Sequence, residues 1–483
     1  MPAFRRAALF VALLAATGTA FPAPPWPEPR TATLPAPTWQ MRTSPDFQAP
    51  SATDCVRPVT MREVPGRAPG DEQRGGWPEP VARASVLPAP MHAERGRAEA
   101  EAASRADFAS KAREAAPTAP PPPPAAYERR PVPQLQPQEG PVTAGVVDDN
   151  GDFSAYLAFR DRTQVTHRAR DVRERHLLVV RDPGGRGVPD AEVAIQAPSG
   201  AATWARTDTA GRVWIHPDAF DPERSGRYEV SVRKQGREAS ASLRRGQKSA
   251  VEVTLDVQAA VPRARLDLLF LVDATGSMGD EIGKLKATLR TIVGEVAALP
   301  SRPDVCLGLV AYRDKGDDFL LRSFDFTNDS QQFLASALGP LRAQGGGDYP
   351  EAMNEALHEA VHKMSWRGDG ATRLVVLLAD APPHLDYGGP RYDDDMLAAL
   401  GKGIKVFGVG ASGLDRQGEF IQRQIAQYTG GRFVFLTYAD ARHPGSGPGR
   451  ETAHDVNNYS VDTLDRLVVR LVSEELAPLA PSP

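Results

Sequence analysis

The stretch 266–278, Leu-Asp-Leu-Leu-Phe-Leu-Val-Asp-Ala-Thr-Gly-Ser-Met, constrains the fold more than any other part of the chain. A nearly continuous apolar run fits a strand buried on both faces, as in a parallel sheet. The pattern then changes. Ile282, Leu285, Leu289, Ile292, Val293 and Val296 recur with helical period. The order is strand, polar turn, helix. In open α/β sheets, ligands bind at the carboxyl ends of the strands, where this turn falls. Asp273, Thr275 and Ser277 alternate through the turn and offer only oxygen, the donor set that a hard cation such as Mg²⁺ takes. The same residues also fit a helix N-cap, with a hydroxyl capping the helix and Asp273 at its positive end.

Downstream, apolar runs predict strands over 305–312, 374–379, 404–409 and 432–436, with a short edge strand over 319–324. Helices are expected over 330–341, 351–364, 418–428 and 461–476. This alternation predicts a doubly wound α/β domain over 259–476, followed by a short unstructured tail over 477–483. Two further polar loops fall at matching places. Gly345-Gly346-Gly347-Asp348-Tyr349-Pro350-Glu351 opens a helix, and Leu378-Ala379-Asp380-Ala381-Pro382-Pro383-His384 closes a strand.

In this order the loops resemble the metal-ion-dependent adhesion site (MIDAS) of von Willebrand factor type A domains, with its Asp-x-Ser/Thr-x-Ser signature. The resemblance implies a Rossmann-like fold without catalytic residues. It also implies a Mg²⁺ (or Mn²⁺ or Ca²⁺) site held by Asp273, Thr275, Ser277, Asp348 and Asp380. Many family members carry Thr where Asp348 stands; a subset reads Gly-Gly-Asp-x-Pro-Glu, as here. With Asp273, Asp348 and Asp380 ionised around a divalent ion, the local charge is about −1. That favours holding the ion over attracting an acidic ligand. The implied partner is a protein, one of whose acidic residues completes the coordination. His384, Asp386, Tyr387, Arg391, Tyr392 and the run Asp393-Asp394-Asp395 follow the third loop. They could select a partner or hold a second cation, and the three aspartates read as a solvated loop.

A competing motif is His358-Glu359-Ala360-Val361-His362, the zinc-peptidase pattern with Glu359 as general base. Against it, Met353, Leu357, Ala360, Val361 and Met364 form the apolar stripe of that helix, which leaves both histidines facing solvent. Neither a third ligand of the metzincin kind nor a glutamate-bearing helix follows. Zinc peptidase therefore stands as the alternative. A structural envelope protein with a metal-silent type A fold is the other.

The amino-terminal part reads differently. Residues 1–20 have the charged start, apolar run and Gly-Thr-Ala end of a secretory signal, and no other segment could span a bilayer. The expectation is export to the periplasm, cell surface or medium of a bacterium. Residues 21–145 are Pro/Ala-rich and predicted to be disordered or extended, with a solvated helix over 92–116. Residues 146–171 form a connecting segment whose Asp148-Asp149-Asn150-Gly151-Asp152 reads as a turn. Over 172–258, short alternating runs and turn signals predict a small all-β sandwich. The order Gly-x-Val-Pro-x-Ala-x-Val over 185–193, with one extra residue before Val188, and then Thr-Asp-x-x-Gly-Arg over 207–212, resembles carboxypeptidase-regulatory-like and prealbumin-like domains. Of the two cysteines, Cys306 is expected as a buried free thiol, with a bridge to Cys55 as the alternative. A net charge of −4 shows no basic surface for nucleic acid.

Overall fold

The computed structural model describes residues 55–67, 141–258 and 263–479, apart from positions 348, 369, 387 and 458. The expected signal segment and the expected helix over 92–116 lie outside the described residues. In chain order the elements begin with β1 (Met61–Val64), β2 (Thr143–Val147) and α1 (Phe153–Arg162). Next come β3 (His176–Arg181), β4 (Glu192–Gln196), β5 (Ala202–Arg206), β6 (Arg212–Ile215), β7 (Arg227–Lys234), β8 (Arg237–Arg244) and β9 (Val251–Thr254). The α/β part follows with β10 (Arg265–Asp273), α2 (Gly279–Ala297), β11 (Asp304–Tyr312), β12 (Leu321–Thr327), α3 (Ser330–Phe333) and α4 (Met353–His362). It closes with β13 (Ala371–Ala379), α5 (Tyr392–Lys402), β14 (Ile404–Gly410), α6 (Arg416–Thr429), β15 (Phe433–Thr437), β16 (Val461–Thr463) and α7 (Leu464–Leu476).

β10 lies inside a nine-stranded sheet of order β1-β12-β11-β10-β13-β14-β15-β2-β16. Strands β11, β10, β13, β14 and β15 are parallel, and the outer strands pair antiparallel. From β10 the chain steps to β11 on one side and later to β13 on the other. The strand order reverses at β10, so the carboxyl ends of β10 and β13 border the crevice of a switch point.

The apolar run of β10 is continuous because both its faces are covered. Leu266, Leu268, Phe270 and Val272 pack with Ile282 and Leu289 of α2 and Leu467 and Leu471 of α7. Leu269 and Leu271 belong to the opposite core, with Leu357 of α4, Met396 of α5 and Ile425 of α6. Each such side chain contributes about 1.5–3 kcal/mol by leaving water. Asp267 interrupts the run and is fully buried. Arg367 answers it, donating from its backbone N–H to Oδ2 at 2.7 Å and from Nε to Oδ1 at 2.6 Å. Nη1 of the same arginine donates to Asp304 at 2.8 Å.

Several expectations change. Part of the tract expected to be disordered is ordered: β1 pairs with β12, and Cys55 is bonded to Cys306, so Cys306 is not a free thiol. β12 is therefore not an edge strand. Few apolar residues mark β1, because its side chains are largely exposed and its order comes from backbone pairing and the tether. β2 and α1 fall where only a linker was expected. α1 begins after the expected turn, whose Asp152 caps it by accepting from the Ala155 N–H at 3.0 Å. Asp393-Asp394-Asp395 is not a solvated loop but the first turn of α5, with Asp393 and Asp395 buried. The helix expected over 461–476 is β16 followed by α7, and the tail opens with a short 3-10 turn, Ala477–Leu479.

Residues 172–258 hold β3 to β9 as two sheets, β6-β3-β9 and β5-β4-β7-β8. β5 and β8 carry little strand signal in the sequence, since small residues such as Ala202, Ala205, Ala239 and Ala241 supply their apolar positions. Asp190 joins this region to the α/β part. It accepts from Arg206 at 3.0 Å, from Arg373 at 2.9 Å and from the Gly370 N–H at 2.7 Å. Burial opposes its ionisation, but Arg373 and Arg206 outweigh burial and hold the carboxyl well below its usual range. Arg373 lies near the amino end of β13, so this junction leaves the carboxyl ends of the strands free for a site.

Candidate metal centre

β10 delivers Asp273, fully buried, to the carboxyl end of the sheet. Thr275, also fully buried, turns back on it: its N–H donates to Asp273 Oδ1 at 3.0 Å and its hydroxyl to the same oxygen at 2.7 Å. Thr275 Oγ1 lies 3.0 Å from Ser277 Oγ, and Ser277 is exposed. The helix-cap alternative has no bond to support it. Thr275 makes no side-chain cap to the 3-10 turn Gly276–Met278, and α2 has no side-chain cap. Ser277 also lines a cleft with Lys284, Thr437 and Tyr438.

The glycine loop crosses directly over this turn. Gly276 N–H donates to Gly345 O at 2.8 Å, and Gln344 N–H to Ala274 O at 3.0 Å. Gly345 and Gly346 adopt φ of +77° and +69°. A Cβ on Gly346 would lie 2.8 Å from Glu351 Oε1 and 2.9 Å from Thr275 Cβ, so the backbone passes where no side chain fits. Gly346 N–H donates to Asp317 Oδ2 at 2.8 Å. Asp348 lies outside the described residues. Glu351, just beyond it, is buried and donates its N–H to Pro382 O at 3.1 Å, which laces the second loop to the third.

The third loop presents Asp380 as β13 ends, with 4 % exposure. His384 lies 3.1 Å from Asp314 Oδ1, and its carbonyl accepts from Asn354 Nδ2 at 2.6 Å. His384 is thus built into the loops rather than standing free on the rim. The structure brings Asp273, Thr275, Ser277 and Asp380 to one end of the sheet. Glu351, Asp314 and Asp317 join them, although the sequence reading gave none of the three a role. The cue was present: Arg313-Asp314-Lys315-Gly316-Asp317 follows an apolar strand directly.

The electrostatics are unbalanced. Asp273 Oδ2, Asp380 Oδ1 and Glu351 Oε2 are buried with no hydrogen-bond partner among the described residues. Burial and the neighbouring Asp380 push Asp273 up to about 7. Burial, then Asp273 and Asp314, push Glu351 up to about 9. Burial raises Asp380 too. Carboxylates so placed resist ionising together unless a cation stands among them. Orphaned buried oxygens beside hydroxyl groups form a donor set that fits a hard divalent ion.

The competing motif fares differently. Glu359 is buried, accepting from Ser323 Oγ at 2.8 Å and from Arg62 Nε at 2.9 Å. Engaged with β1 and β12, it is not available as a base for a metal held by the histidines. His358 and His362 do not simply face solvent. Both reach Asp395 of α5, at 3.0 and 2.9 Å.

Residues 267–440 match the von Willebrand factor type A domain model, and the chain carries a domain of this class. It is 30% identical to the alpha-protein kinase vwkA of Dictyostelium discoideum over 139 residues, 29% of this chain and 22% of that protein. It is 36% identical to von Willebrand factor A domain-containing protein 7 of Mus musculus over 94 residues, 20% of this chain and 10% of that protein. The chain thus spans under a quarter of the length of these relatives. Among solved structures, the open conformation of the pilus adhesin SpaC from Lactobacillus rhamnosus GG aligns over 56% of this chain and 33% of its own. The identity there is 17% and the TM-score 0.26.

Proposed function

We propose that the chain is an exported, non-enzymatic binding protein whose type A domain grips a protein partner through a divalent cation. The observation that carries this reading is the pair of buried, unpartnered carboxylate oxygens, Asp273 Oδ2 and Asp380 Oδ1, beside the Thr275 and Ser277 hydroxyls. Asp273, Thr275, Ser277 and Asp380 would hold Mg²⁺ or Mn²⁺, with Asp348 as the remaining ligand. When bound, the ion supplies a Lewis-acidic position that an oxygen atom of the partner can fill.

The residues around the site do the rest. Gly345 and Gly346 keep the second loop against the first, and the bonds from Glu351 and Asn354 keep the third loop in register with the second. The surplus of carboxylates favours retention of the ion. A partner must then supply an oxygen ligand and further contacts along the cleft beside Ser277. The signal-like residues 1–20, the Pro/Ala-rich tract and the small β region fit a module held away from an envelope layer.

Calorimetry on the full chain tests the site. Mg²⁺ or Mn²⁺ should bind the wild type, and Asp273→Ala should abolish binding; unchanged affinity would refute the assignment. EDTA should release a protein captured from the cell envelope, and Mg²⁺ should restore capture. Capture that survives both EDTA and Asp273→Ala would favour a metal-silent structural role.

A further inference from the structure

The geometry points to a second metal site, built by His358, His362 and Asp395, that takes a borderline transition-metal ion such as Zn²⁺, Co²⁺ or Ni²⁺ and ties α4 to α5. It is independent of the site at Asp273. The three side chains offer ligand atoms that all lie within 4.8 Å of one another. The histidines are one helical turn apart on α4, their rings stacked with centroids 4.4 Å apart. His358 Nδ1 and His362 Nε2 converge on the same atom, Asp395 Oδ1, at 3.0 and 2.9 Å.

That arrangement leaves the carboxylate half used. Asp395 Oδ2 is buried and has no hydrogen-bond partner among the described residues. Its side chain is 4 % exposed, against 38 % for His358 and 31 % for His362. A buried anchor with two ligands at the surface gives an ion both a fixed carboxylate and a way in. The neighbouring aspartates are engaged elsewhere: Asp393 and Asp394 pair with Arg170, and Asp394 also with Arg391.

The two contacts to Asp395 need little change. Ligand atoms about 2.0–2.1 Å from a tetrahedral Zn²⁺ stand roughly 3.3 Å apart. The nitrogens at 2.9 and 3.0 Å from Oδ1 therefore need to open by about 0.4 Å. Each nitrogen either donates its proton to the carboxylate or gives it up and binds the ion. Two imidazoles and a carboxylate suit Zn²⁺, Co²⁺ or Ni²⁺ better than Mg²⁺ or Ca²⁺. The fourth position remains open to water. The site is not a peptidase centre, because Glu359 is held by Arg62 and Ser323. Its consequence is mechanical. α5 packs against β5 of the neighbouring β region, so an ion bridging α4 to α5 stiffens the element on which that region rests.

The test uses the full chain stripped with EDTA and then dialysed. Co²⁺ is followed by its visible absorption and Zn²⁺ by calorimetry. A single equivalent should give a ligand-field band that excess Mg²⁺ does not displace. Asp273→Ala and Glu359→Gln should retain it. His358→Gln with His362→Gln should lose it, and Asp395→Asn should weaken binding by at least about tenfold. Circular dichroism of the stripped variants controls for folding; if the histidine pair variant does not fold, Asp395→Asn alone decides. Wild-type stoichiometry and spectrum in the histidine pair or Asp395 variant would overturn the proposal. So would loss of the band in Asp273→Ala, or cleavage of casein that Glu359→Gln abolishes.

Discussion

Asp273→Asn should make the metal-free chain more stable, although it removes the carboxylate at the heart of the candidate site. Asp273 titrates ordinarily near 3.8, and burial beside Asp380 lifts it to about 7 in the fold. Between these values the folded chain keeps a proton that the unfolded chain has released. Stability therefore falls as pH rises through this window, by about 4 kcal/mol when complete. Glu351, raised from 4.5 to about 9, extends the fall to higher pH. Asn cannot ionise, yet its carbonyl can still accept from the Thr275 N–H and hydroxyl that now bond Oδ1. In EDTA near pH 8 the variant should gain up to about 4 kcal/mol, roughly 1 M urea or more in midpoint. Near pH 5 the difference should be much smaller. Mg²⁺ should close the gap at pH 8: the wild type gains about 4.1 kcal/mol at a thousand times its dissociation constant, enough to cancel the variant's lead, and the variant gains little. Urea titrations of both chains, with EDTA and with Mg²⁺ at the two pH values, check all four arms. A variant less stable than wild type in EDTA at pH 8 would refute the account of a repulsive carboxylate cluster.

Gly346→Ala should weaken Mn²⁺ binding at least about tenfold by paramagnetic resonance, because the new methyl meets Glu351 and Thr275 at a left-handed backbone position. Asp267→Ala should cost roughly 3–5 kcal/mol in urea unfolding, since it leaves the buried Arg367 guanidinium without its main partner. Replacing both Cys55 and Cys306 by Ser should lower stability by about 2–4 kcal/mol and expose the segment around β1 to limited proteolysis.

What the sequence determined by itself was whatever depends on local pattern. The continuous apolar run of β10 requires cover on both faces, and the period of α2 requires one buried stripe; together they prescribe a strand–turn–helix unit within a parallel sheet. The spacing of Asp273, Thr275 and Ser277 marked the first loop, and Asp380 at the end of β13 marked the third. Tertiary structure decided which distant groups meet. β1 carries little apolar signature, and its pairing with β12, the Cys55–Cys306 bond and the contact of Arg62 with Glu359 place it at the edge of the sheet. Glu351 became a neighbour of Asp273, and Asp314 and Asp317 neighbours of Glu351, because the order of β11, β10 and β13 reverses there. The histidines of α4 looked solvated from one helix alone. Their surroundings are set by α5, whose first turn carries Asp395 onto them, and a helical period cannot report what packs against its polar face.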